Sequence, residues 1–79
     1  MVQLSSQWSE SEALASFRSL QAKFPNELGA RHPIIRRVDD RTKGTYYRVN
    51  VGPFGTVQEA YKFCTGYKAA GGQCIVPNN

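Results

Sequence analysis

Few side chains in this 79-residue chain could make or break a bond. Nucleophilic catalysis needs a base held beside Ser or Cys, and the one histidine, His32, falls in a loop segment with no Cys, Asp or Glu at a metal-ligand spacing. Asp39 and Asp40 are adjacent in a polar turn. On an extended backbone their side chains diverge, so they cannot flank a glycosidic bond as a catalytic pair. No Walker-type phosphate loop is present. We therefore expect no catalytic residue, no metal and no cofactor. The chemistry that remains is recognition, carried by Gln3, Ser5, Tyr46, Arg48 and Asn50. Amides bond hydroxyls in both directions, an aromatic ring stacks on a sugar or a base, and arginine forks onto a carboxylate or phosphate.

Those residues need a scaffold, and the stretch Thr45 to Phe54 supplies its centre. Alternation sends Tyr47, Val49 and Val51 to one face and Tyr46, Arg48 and Asn50 to the other, the period of a half-buried strand. Gly52-Pro53 ends the ladder, and Thr56 with Glu59 forms a capping box that opens a helix. The same plan opens the chain: Val49 to Ala60 lies over Val2 to Ala13, with Thr56 on Ser9 and Glu59 on Glu12. Ala13, Leu14, Phe17, Leu20 and Phe24 follow helical spacing, and Pro25 ends that helix. Asn26 to Pro33 reads as loop. Ile34 to Val38 reads as a strand of unsettled facing, joined to the central strand in a hairpin. A second helix, about Val57 to Ala70, buries Val57, Ala60, Cys64 and Tyr67, and Gln73 to Val76 returns as a last strand. The order β-α-β-β-α-β predicts an α+β, ferredoxin-like (RNP-like) fold: a four-stranded antiparallel sheet with both helices on one face. Gln3, Ser5, Tyr46, Arg48 and Asn50 then share the uncovered face.

Length allows one domain, residues 1–79, near the size at which a single core is marginal and a staple helps. Cys64 and Cys74 are placed to supply one. Cys64 lies about 10 Å back along its helix and Cys74 about 7 Å into the returning strand, each on its element's buried side. A disulfide would imply an oxidising compartment such as a periplasm; two buried reduced thiols are the alternative. Ten Lys and Arg against six Asp and Glu give net +4, which favours acidic partners. No apolar run is long enough to span a bilayer, so no membrane contact by the domain itself is expected, and no signal peptide precedes Val2. Met1 directly before strand residues suggests a piece of a longer protein.

Two partner classes suit the open face. The topology is that of RNA recognition motifs, and Lys43 to Val49 loosely resembles their third-strand signature, but base stacking needs aromatics on both central strands, and only Tyr46 faces out. An acidic carbohydrate fits better. At this point the sequence resembles a SPOR domain, the sporulation-related repeat of bacterial envelope and division proteins. The likeness lies in Val2-Gln3-Leu4-Ser5-Ser6, in Tyr47-Arg48-Val49-Asn50-Val51-Gly52-Pro53-Phe54, and in Ala60 through Lys68-Ala69-Ala70-Gly71-Gly72-Gln73-Cys74-Ile75-Val76. The resemblance implies a non-catalytic, periplasmic module that binds peptidoglycan glycan strands stripped of stem peptides and so gathers at the division septum; we expect a monomer, and RNA binding, from the shared topology, is the alternative. It also implies sugar contacts on the sheet face, at Gln3, Ser5, Arg48 and Asn50 with Tyr46 and Trp8 as aromatic candidates. Ser5 stands where many members have glycine.

Overall fold

The computed structural model describes residues 1–77. Its elements are β1 (Val2–Gln7), α1 (Glu10–Lys23), α2 (Pro25–Leu28), β2 (Pro33–Asp40), β3 (Gly44–Val51) and α3 (Val57–Ala69). Both long helices begin where the sequence places their caps. Ser9 Oγ accepts from the Glu12 backbone N–H and Thr56 Oγ1 from that of Glu59, each at 3.1 Å. Each bond satisfies one of the four donors a helix start leaves without partners. Glu59 reaches one residue further back than a reciprocal box requires, accepting from the Gly55 N–H at 2.9 Å. Pro25 ends α1 and also opens the single turn α2, so the expected loop from Asn26 to Pro33 begins with helix. Its missing N–H is no loss at a first helical position.

The sheet has three strands in the order β1-β3-β2, all antiparallel. The expected fourth strand is reduced to one bridge, in which Gln3 and Ile75 exchange backbone hydrogen bonds of 2.8 and 2.9 Å. Antiparallel pairing from that bridge would next set Met1 against Pro77, which has no N–H to give. On the other side Leu4 is an extra residue in β1, bulged out of its pairing with β3, and a bulge breaks the ladder locally. The sheet therefore stops at three strands. The β2–β3 turn is tight: Asp40 pairs with Gly44, and the Asp40 carboxylate accepts from the N–H groups of Thr42 and Lys43 at 2.8 and 2.9 Å. Gly44 has φ near +90°, a conformation open to glycine and costly for other residues.

One face of the sheet carries the core. Val2, Leu4, Val49 and Val51 meet Ala13 and Phe17 of α1, Leu28 of α2, and Ala60, Cys64 and Tyr67 of α3, with Phe24 between the helices. Ile35 packs against this cluster, so Ile34, Arg36 and Val38 of β2 take the opposite face. Val57, placed on the buried stripe by periodicity, is exposed; at the first helical position it borders an open cleft with Met1 and Pro77. Tyr67 is the largest fully buried side chain, its ring centroid 4.9 Å from that of Phe24 and 5.8 Å from that of Phe63. A side chain on Gly72 would collide with this ring, so close backbone approach fixes glycine there. Cys64 and Cys74 form a disulfide, with Cα atoms 5.9 Å apart.

Candidate functional site

The bulge at Leu4 decides which residues can form a site. Up to Gln3 the strand keeps its expected facing, with Gln3 opposite Asn50. Beyond the bulge Ser5 pairs with Val49, a core residue, and Ser6 pairs with Arg48. One inserted residue reverses the alternation. Ser5, expected on the open face, therefore points to the helices, where its Oγ lies 3.1 Å from Ser16 Oγ on α1. Ser6 takes its place beside Arg48.

Asn50 is also placed differently from the expectation. It is only 3% exposed, and its Nδ2 donates to the Ile34 carbonyl at 3.1 Å and to that of Arg48 at 3.4 Å. Its amide is committed to holding β2 against β3. The other four expected residues do come together. Gln3, Trp8, Tyr46 and Arg48 line a cleft of about 390 Å³ on the open face, joined by Ser6, Gln7 and Lys43. The indole of Trp8, 67% exposed, meets Tyr46 edge to face, with ring centroids 6.4 Å apart and planes at 77°. An Arg48 terminal N–H donates to the Tyr46 hydroxyl at 3.1 Å. The guanidinium carbon lies 5.7 Å from the ring centroid, so the cation sits at the hydroxyl end and not over the ring face.

Around this cleft the charge is unbalanced. The segment 36–48 holds five of the ten Lys and Arg and two of the six Asp and Glu, a net +3 of the chain's +4. Both carboxylates are occupied. Asp39 accepts from the Thr45 hydroxyl at 2.8 Å and from Arg37 Nε at 3.2 Å, which hold its pKa below the usual carboxylate value. Asp40 is lowered by the turn N–H groups of Lys43 and Thr42. Arg37–Asp39 is the sole ion pair among the described residues, leaving Arg36, Arg41, Lys43 and Arg48 without carboxylate partners there. Other basic residues are spent on packing: the Arg31 guanidinium sits 4.6 Å from the Phe54 ring centroid and 5.1 Å from that of Phe63.

The arrangement offers amides, a hydroxyl, two aromatic faces and free cations on one shallow wall. No group of three or more metal-ligating side chains occurs among the described residues. A second cleft of about 390 Å³, at the start of α3, is lined by Met1, Phe54, Val57, Tyr61 and Pro77 and has no charged side chain to orient a ligand. Comparison with known families decides the assignment, since the SPOR domain model matches residues 1–78. The chain belongs to the SPOR domain family. As a family, SPOR domains are peptidoglycan-binding modules of bacterial envelope proteins. No curated protein and no solved structure matches the chain significantly. The disulfide accords with an envelope setting, and no helix among the described residues is long and apolar enough to cross a membrane.

Ser6 and Lys43 were missed from sequence; Gln7 borders the cleft, but it pairs with Tyr47 and its Nε2 donates to Ser16 Oγ on α1 at 3.5 Å, so its side chain takes the helix-facing side. A bulge has no residue signature in Gln3-Leu4-Ser5-Ser6, so nothing there announces the change of facing. Lys43 was legible in principle, because the turn Asp40 to Gly44 sets it beside the open face.

Proposed function

We propose that this SPOR domain is a periplasmic, non-catalytic and monomeric module that binds glycan strands from which amidases have removed the stem peptides. It thereby carries a longer parent protein to the division septum. The observation that carries this reading is the cleft of Gln3, Ser6, Trp8, Tyr46 and Arg48, where planar amide, hydroxyl, aromatic and cation share one accessible wall. A stripped strand presents sugar faces, N-acetyl groups and the free lactyl carboxylate of N-acetylmuramic acid. Stem peptides on intact strands cover that carboxylate as an amide and occupy the space beside it. Gln3 and Ser6 bond the hydroxyls and acetamido groups, the Trp8 and Tyr46 rings meet the pyranose faces, and Arg48 takes the carboxylate. The bond that Arg48 donates to the Tyr46 hydroxyl orients the guanidinium before the ligand arrives, which lowers the ordering cost of binding.

RNA is served less well by this wall. Trp8 and Tyr46 stand edge to face, whereas successive bases need ring faces laid out side by side.

The test is cosedimentation of the domain with whole sacculi before and after amidase treatment, beside a structured RNA. Binding should rise when the peptides are removed. Arg48→Ala should weaken it about tenfold or more, the value of a hydrogen bond to a charged group, with little change in melting temperature. Indifference to peptide removal, or salt-sensitive binding to the RNA alone, would overturn the reading.

A further inference from the structure

Arg48 has a second arginine beside it. In the β2–β3 ladder Arg36 is the direct partner of Arg48, and both lie on the open face, in one row with Ser6. Directly opposed residues in an antiparallel pair root their side chains about 5 Å apart. Like charges set this way repel and normally destabilise a sheet. The usual remedy is an interleaved carboxylate, and neither arginine has one within ion-pair distance among the described residues. Asp40, on the same face of β2, is turned back onto the N–H groups of Thr42 and Lys43. Arg36 is exposed, and Arg48 is held toward the Trp8 end of the cleft by the Tyr46 hydroxyl. The two guanidinium groups are thus rooted together, with one held toward Trp8 and the other rooted on the neighbouring strand.

Resting on the glycan reading above, we infer that Arg36 is a second anion-reading residue and that the site takes two carboxylates of one strand. Arg48 takes the lactyl carboxylate of one N-acetylmuramic acid, and Arg36 that of the next one along the strand. The repulsion left in the unliganded sheet is relieved when both anions are bound. Removing Arg36 should therefore weaken binding and leave the fold as stable or more so, a pairing of effects that a packing role would not produce.

The experiment is titration calorimetry with peptide-free disaccharide, which carries one carboxylate, and peptide-free tetrasaccharide, which carries two. Chitotetraose, of the same length and without charge, is the control. Wild type should prefer the tetrasaccharide. Arg36→Gln should bind the tetrasaccharide about tenfold more weakly, and the disaccharide and chitotetraose as wild type does, with an unchanged or raised melting temperature. Equal losses on disaccharide and tetrasaccharide, or no loss on either, would overturn the second carboxylate while leaving the glycan site standing. Wild-type protein that binds neither peptide-free sugar overturns the glycan reading, and this inference with it.

Discussion

Asn50 and Arg48 stand two residues apart on β3, share a face, and do different work. Arg48 is half-buried, with its guanidinium at the cleft; Asn50 is buried and donates to the Ile34 and Arg48 carbonyls. From sequence they are equivalent, since alternation gives facing and says nothing of how much of a face is covered. Burial at Asn50 depends on its row, Gln3–Asn50–Ile34, which lies at the end of the sheet where Ile75 returns. Asn50→Ala should thus cost stability, about 1 to 3 kcal/mol for buried partners left unpaired, while the folded variant binds glycan with nearly wild-type affinity. Urea denaturation and sacculus binding at low temperature separate the two effects. Unchanged stability with lost binding would make Asn50 a ligand contact after all. Ser5 teaches the converse: its type suits a sugar, and the bulge at Leu4 turns it to Ser16 instead.

Among the elements, the caps, the hairpin and both long helices were legible because each is announced locally: Ser9 with Glu12, Thr56 with Glu59, and the Asp40 to Gly44 turn. The terminal strand was not, because it is defined by what it pairs with. Its apolar pattern is present in Ile75 and Val76, yet Pro77 and the β1 bulge leave it a single bridge. What secures this segment is covalent, through Cys74 to Cys64 on α3. A small core with an incomplete ladder gains most from such a staple. Reduction should cost about 2 to 4 kcal/mol, measured as the shift in urea midpoint with and without reductant. The first amides to lose exchange protection should be those of Gln3 and Ile75, whose two hydrogen bonds are, among the described residues, all that ties the segment to the sheet. Two reactive thiols in the unreduced, denatured protein would overturn the assignment. Gln3 lines the cleft, so loosening this end should also weaken glycan binding.

Across the whole molecule, one end of the sheet carries the staple and the other most of the recognition residues, with Gln3 belonging to both. The disulfide and the Gln3–Asn50–Ile34 row hold one end, and the basic hairpin turn lies six residues away along β3, about 20 Å. Tyr46, Arg48 and Lys43 belong to that arm, which is fastened by exposed carboxylates in place of core. Asp39 is held by Thr45 and Arg37, and Asp40 by the N–H groups of Lys43 and Thr42; both pKa values are lowered in the fold. The folded state therefore binds fewer protons than the unfolded chain near the ordinary carboxylate pKa. The stabilisation is fully present above about pH 4 and is lost as pH falls through the lowered folded values. The apolar core and the disulfide do not titrate in that range. Acidification should release the arm first: amides of Thr42 to Tyr46 should lose hydrogen-exchange protection while those of Val49 and Val51 keep it. Asp40→Ala should reproduce that pattern at neutral pH and weaken glycan binding without lowering protection at the disulfide end. Uniform loss of protection on acidification would mean that the arm and the core unfold as one unit, and that the carboxylates do not fasten the arm separately.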